Sequence, residues 1–243
     1  MQNLPKLKGK ENIFVEVLDT RLYARYVAEE IATLASLMSE SGKLVSVCLS
    51  GGRTPLDVYK ALSSSPISAI LPSSQVVFFL GDERWTEDLT LKNSESVRSH
   101  LKGMLGSARF IDWQGSTVQE ALNYFSSELI KFEIDKNGFD IILLGVGEDG
   151  HVASLFPGQL YGDNLVYQTV SPDTEMIRLT IGPRLITTSK RVVVLIKGEN
   201  KQEIVKKIFL ERNSLQDVPA EIIFQAKGVV QFFLDNQASK LLD

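Results

Sequence analysis

The sequence predicts an α/β fold built on a mostly parallel sheet with helices covering both faces. Three observations predict it. Short β-rich apolar runs alternate with longer segments of helical period. The residues directly after those runs are glycine-rich or charged, as expected where an α/β sheet opens to a ligand. With 243 residues, the chain suits one sizeable α/β domain or two small ones, and a single domain over residues 1–243 is the simpler reading.

Taken in order, residues 22–38 carry apolar side chains at helical spacing and form the first clear amphipathic helix. Residues 45–49 read as a strand, and residues 56–62 as the start of the next helix. A strand follows at 76–80, a helix at 118–132, and strands at 141–144 and 192–196. A last strand at 229–234 closes the set. Residues 63–68, with four serines and a proline, form a loop within this alternation, and no repeat or low-complexity tract interrupts it.

The composition, 44% hydrophobic and 23% charged, is that of an ordinary folded protein. A net charge of -4 gives no general affinity for nucleic acid or an anionic membrane, so an anionic ligand requires a local basic cluster. The only cysteine, Cys48, lies in an apolar strand, which excludes an internal disulfide, fits a reducing compartment and makes the thiol a core group. The N-terminal stretch "MQNLPKLKGKEN" has no continuous apolar run, and no segment approaches the roughly 20 apolar residues of a membrane span. A cytoplasmic protein is the expectation.

Four segments follow apolar runs and carry chemistry: residues 50–55, 81–84, 145–151 and 198–201, the last being Gly198-Glu199-Asn200-Lys201. Ser50-Gly51-Gly52-Arg53-Thr54-Pro55 joins a strand to a helix, with Thr54 expected as N-cap and Pro55 as first helical residue. Its glycines and the helix start suit an anion, although the Gly-Lys-Ser/Thr of a Walker loop is missing; a capped turn without ligand is the plain alternative. Asp82-Glu83-Arg84 places three charges at a strand end, either as a solvated turn or with Arg84 holding a phosphate or carboxylate. Of the two histidines, His100 belongs to a polar helical stretch and reads as a surface residue. His151 follows a glycine turn with Asp149 two residues before it, the pairing that makes a neutral-pH general base.

Gly145, Gly147 and Gly150 satisfy the dinucleotide pattern G-x-G-x-x-G by letter. That pattern needs a long helix after its third glycine and an uncharged cradle for a pyrophosphate. Here Pro157-Gly158 arrives within eight residues, and Glu148 and Asp149 are negative. The turn is therefore read as one that presents Asp149 and His151. No Cys/His cluster has the spacing of metal ligands.

With these residues assembled, the chain resembles the 6-phosphogluconolactonase family, relatives of the glucosamine-6-phosphate deaminases. The matching pieces are "LSGGRTPLDVYKAL", "FFLGDERW", "FDIILLGVGEDGHVASLFPG", "IRLTIGPRLI" and "VVVLIKGENK". The deaminases follow the Gly-x-Asp-Gly-His core with Asn-Glu-Pro, where this chain has Leu155-Phe156-Pro157. It departs from the family after Asp-Glu-Arg, with Trp85-Thr86 in place of Val-Pro and Lys92-Asn93 in place of Ser-Asn.

The resemblance implies a three-layer α/β/α sandwich with a Rossmann-like sheet. It implies hydrolysis of 6-phospho-D-glucono-1,5-lactone to 6-phospho-D-gluconate in the oxidative pentose phosphate pathway, without cofactor or catalytic metal. His151 would be the base, Asp149 its orienting carboxylate, and Arg84 or a glycine-loop amide the stabiliser of the oxyanion. The phosphate would rest on the backbone of Gly51, Gly52, Arg53 and Thr54 with Lys201, the side chain of Arg53 or Arg178 completing the charge, and the sugar on Asp82, Glu83 and Asn93. The expected partner is a small phosphorylated lactone, not nucleic acid or membrane, and the expected assembly is a monomer or weak homodimer. The rival readings are a deaminase or sugar-phosphate isomerase with Asp82 as proton-transfer base, and a non-catalytic sugar-phosphate sensor.

Overall fold

A computed structural model describes residue 7, residues 10–40 and residues 42–242. Most of the N-terminal stretch read above for a leader, residues 1–6 and 8–9, lies outside them. In chain order the elements are β1 (Ile13–Leu18), α1 (Tyr23–Ser39), β2 (Val45–Leu49), α2 (Arg53–Leu62), β3 (Val76–Leu80) and β4 (Asp82–Arg84). Then come α3 (Asn93–His100), β5 (Arg109–Ile111), α4 (Val118–Lys131), α5 (Ile134–Asn137) and β6 (Ile141–Gly145). The set ends with β7 (Val166–Val170), β8 (Ile177–Ile181), α6 (Pro183–Thr188), β9 (Arg191–Ile196), α7 (Gln202–Leu210) and β10 (Val229–Asp235).

Seven strands form one sheet in the order β1-β10-β9-β6-β2-β3-β5, every neighbouring pair parallel. Helices flank it, giving the Rossmann-like α/β architecture. All residues of β2 and β3 are buried, as a strand covered on both faces requires. Phe79 sits at the centre of one packed layer, edge-on to Phe125, Phe132 and Phe139 at centroid distances of 6.1, 5.5 and 5.4 Å. Such aromatic pairs add about 0.5–1.5 kcal/mol each to the burial they bring. Cys48 lies in this core, where burial, and then the charge of Asp82, push its thiol well above the usual range. No helix among the described residues is long and apolar enough to cross a membrane.

The helix expected at 118–132 runs from Val118 to Lys131, and the Thr117 side chain caps it by accepting from the Glu120 amide at 3.2 Å. Three strands carry too few or too polar residues to stand out in the sequence. They form a second, antiparallel sheet in the order β4-β8-β7. The solvated-turn alternative for residues 82–84 is thereby corrected: they are β4, paired with residues 178–180 of β8, and Asp82 and Glu83 are buried.

The order of the large sheet positions the site. After β2 the chain builds outward through β3 and β5, then returns to lay β6 on the other side of β2. The loops leaving β2 and β6 therefore part company at adjacent strand ends, which opens a crevice between them.

Candidate active site

That crevice is a cleft of about 440 Å³ lined by residues that follow β2, β6 and β9, with β4 and β8 contributing from the small sheet. Ser50 ties its two central strands together, its hydroxyl donating to the Leu143 carbonyl at 2.5 Å.

On the β2 side, α2 begins at Arg53 with Gly52 as its N-cap at φ 94°, a left-handed conformation that costs a glycine little. The expected cap is corrected here. Thr54 and Pro55 are the second and third helical residues, because Gly52 already makes the turn and Pro55 needs no amide in the first turn. The first backbone bond of the helix runs from the Leu56 amide to the Gly52 carbonyl at 3.2 Å. Earlier amides have no acceptor within the helix and face an N-terminus suited to an anion. Gly51, Gly52, Arg53 and Thr54 all line the cleft.

On the β6 side, the turn from Gly147 to His151 is closed by the Gly147 amide on the His151 carbonyl at 2.8 Å. Asp149 Oδ1 accepts from the His151 backbone amide at 3.1 Å and lies 2.6 Å from His151 Nδ1. Burial pushes the Asp149 carboxyl up, but the bond and charge of His151 outweigh this and leave it below the usual carboxylate range. A Cβ at position 147 would overlap both His151 Nδ1 and Asp149 Oδ1, so only glycine lets this pair fold back over its own turn. The imidazole lines the cleft with its ring 5.1 Å from that of Phe156. His100 stands elsewhere, outside the cleft, with Nδ1 2.7 Å from the Ser96 carbonyl.

Strand β4 sends alternate residues to opposite sides. Asp82 and Arg84 line the cleft; Glu83 does not. Glu83 accepts from the amides of Asn93 (2.6 Å), Ser94 (3.0 Å) and Arg84 (2.8 Å), and so anchors the start of α3. Burial raises its pKa despite those bonds. These bonds give its carboxylate a supporting role at the start of α3. Asp82 accepts from Asn93 Nδ2 at 3.1 Å and from the Ser154 hydroxyl at 2.9 Å, and Asn93 also borders the cleft. Arg84 donates from Nη1 to the Leu91 carbonyl at 2.8 Å. Opposite it in the register, Arg178 lines the cleft with its buried Nε lacking any hydrogen-bond partner. Burial lowers the pKa of its guanidinium, with Asp82 opposing.

At the end of β9, Lys201 borders the cleft, its ammonium pKa lowered by burial against the pull of Glu148 and Asp149. Lys197, Asp57 and Asn200, which no motif in the sequence singles out, and Glu148, notable there only for its charge, line the same space. Lys197 carries the plainest sequence signal of them, since it directly follows an apolar strand. Asn200 Nδ2 donates to Glu148 Oε1 and so joins the loops after β6 and β9. Five basic residues, Arg53, Arg84, Arg178, Lys197 and Lys201, face three acidic ones, Asp57, Asp82 and Glu148. This is the local basic cluster that an anionic ligand requires in a chain of negative net charge. Among the described residues no group of three His, Cys, Asp or Glu is placed to hold a metal ion.

Comparison with known proteins agrees with this fold. Residues 19–232 match the family of glucosamine-6-phosphate isomerases/6-phosphogluconolactonase. The 6-phosphogluconolactonase of Aggregatibacter actinomycetemcomitans is 31% identical over 227 residues, covering 90% of this chain and 97% of the relative. That of Haemophilus influenzae is 32% identical, also over 227 residues, with the same coverage. The crystal structure of a 6-phosphogluconolactonase from Shewanella baltica superposes with a TM-score of 0.82 at 26% identity, over 93% of this chain and 98% of that one.

Proposed function

The chain belongs to the glucosamine-6-phosphate isomerase/6-phosphogluconolactonase family, and from that premise we propose that it hydrolyses 6-phospho-D-glucono-1,5-lactone by general-base activation of water at His151. The product is 6-phospho-D-gluconate, and the reaction belongs to the oxidative pentose phosphate pathway. The observation that carries the mechanism is the 2.6 Å contact between Asp149 and the Nδ1 of His151, whose ring lines a basic cleft. With Nδ1–H donated to the carboxylate, Nε2 keeps the lone pair that takes a proton from water, and Asp149 stabilises the imidazolium that results. Hydroxide adds to the lactone carbonyl, the tetrahedral oxyanion collapses, and the ring C–O bond breaks with the proton returned to the departing oxygen. Arg84 is the positive group assigned to the oxyanion. The phosphate rests on the start of α2 with Arg53, Lys201 and Arg178, and this remote anchor orients the reacting carbon.

Phe156 supports hydrolysis over deamination: an apolar ring packs on His151 in the segment where the related deaminases carry a glutamate. The protein is taken to work in the cytoplasm, without cofactor, on one domain as a monomer or weak homodimer; the buried Cys48 suits a reducing compartment.

The test follows acid release from freshly generated lactone against its spontaneous hydrolysis. His151→Ala should lower kcat at least about tenfold with little change in KM, given the 10²- to 10⁴-fold usual for a positioned base; Asp149→Asn should also lose much of kcat. Near-normal turnover by the His151 variant overturns the general-base role. Ammonia released from glucosamine 6-phosphate would instead favour the deaminase reading.

A further inference from the structure

Lys197 has no role in the mechanism above, yet it lines the cleft beside Lys201 and the start of α2. Its Nζ lies 3.2 Å from Asp57 Oδ2. Asp57 follows Arg53 by four residues in α2, so both occupy one helix face, about 6 Å apart along the axis. The carboxylate thus holds the ammonium one turn beyond the helix start.

We propose that Lys197 recognises the substrate's phosphate and that Asp57 is its resting partner, displaced when the phosphate binds. The proposal takes the phosphorylated ligand from the lactonase reading and is independent of the His151 chemistry.

Three physical points lead there. The Lys197 side chain is 25% exposed and Asp57 58%, so the pair sits at a wet edge of the cleft, where an ion pair adds little net stability and is readily exchanged. A phosphate monoester carries close to two negative charges near neutral pH against one on Asp57, so it is the stronger partner for the ammonium. It also rests closer to the positive end of the helix than Asp57 does. Finally, lysine is a point charge on a flexible four-carbon stem, able to move from one acceptor to another a helical turn away. A neutral, unphosphorylated lactone offers nothing to displace Asp57. The pair therefore favours phosphorylated substrates.

The experiment compares Lys197→Met, Asp57→Asn and the double variant. It measures the affinity for 6-phosphogluconate by calorimetry, and kcat and KM for lactones with and without phosphate. Loss of one charge-assisted contact should weaken 6-phosphogluconate binding by Lys197→Met about tenfold. The preference for the phosphorylated lactone should fall by a similar factor, through KM rather than kcat. Asp57→Asn should tighten binding several-fold, and only while Lys197 is present. Unchanged affinity in Lys197→Met overturns the proposal. So does equal weakening by both single variants, which would make the pair a structural brace. If the wild type binds 6-phosphogluconate in this pattern but hydrolyses no lactone, the lactonase reading falls and the Lys197 assignment stands. Absence of 6-phosphogluconate binding by the wild type removes the assignment itself.

Discussion

At the scale of single residues, the site depends on one position without a side chain. Gly147 lets Asp149 and His151 fold back over their turn, where a Cβ would overlap Nδ1 and Oδ1. Gly147→Ala should therefore separate the pair and lower kcat by at least about tenfold, since small misplacements of catalytic groups are costly in rate. Its melting temperature should fall by only a few degrees. Steady-state kinetics beside a thermal melt check this, and an alanine variant with wild-type kcat would show that the close approach is unnecessary. The Asp149 and His151 pair was legible because its glycine turn and charges follow an apolar strand directly. The inward turn of Glu83 was not legible, for the opposite reason. In a row of three charges nothing local says that the middle one turns inward, and its donors, the Asn93 and Ser94 amides, lie ten and eleven residues away. Lys197 escaped notice because its meaning comes from Asp57, 140 residues earlier.

At the scale of elements, the strands that could be read are the mostly buried ones: β2, β3, β6, β9 and β10 are largely apolar runs with at most a few polar or glycine positions. β5, only three residues long, and β7, half exposed, give no such run. Register adds what apolar runs cannot specify. Asp140, one residue before β6, accepts from the Ser46 amide and hydroxyl of β2, both at 2.9 Å, and from Lys190 Nζ, just before β9, at 2.6 Å. It thereby joins three neighbouring strands at the end of the sheet opposite the cleft. Burial pushes its carboxyl up, but Lys190 and Ser46 outweigh that and hold it below the usual range. Lys190 is correspondingly raised, first by its bond to Asp140. A depressed carboxylate stabilises the fold above its unfolded value, about 3.9, and loses this as pH falls through the folded value. A raised lysine stabilises below its unfolded value, about 10.4, and loses this as pH rises through the folded one. Asp140→Asn should thus cost about 1–2 kcal/mol on a plateau from roughly pH 5 to 10, discounted for the half-exposed lysine. Denaturant melts across pH should show the variant and wild type converging in acid; a constant difference from pH 7 to pH 3 would refute the linkage.

At the scale of the whole molecule, the cleft joins parts of the chain that the fold otherwise sends apart. The loops after β2 and β6 leave adjacent strands in opposite directions, and the loop after β9 approaches from beyond β6. Between them the free protein has a few polar bridges, such as Ser50 to Leu143 and Asn200 to Glu148. A ligand with phosphate at one end and carboxylate at the other would touch the starts of these loops and the arginines of the small sheet together. It would bind only the folded chain, so its affinity adds to stability by mass action, about 2.7 kcal/mol at a hundred times Kd. At about 2–4 °C per kcal/mol for a chain of this length, 6-phosphogluconate should raise Tm by roughly 5–10 °C. Gluconate, which lacks the phosphate, should raise it far less at equal concentration. Hydrogen exchange should slow together at residues 50–54, 145–151 and 197–201, because one ligand orders all three segments. Protection confined to residues 145–151, or an equal shift from gluconate, would mean that the phosphate is not held across the cleft, and would detach the basic cluster from the reaction at His151.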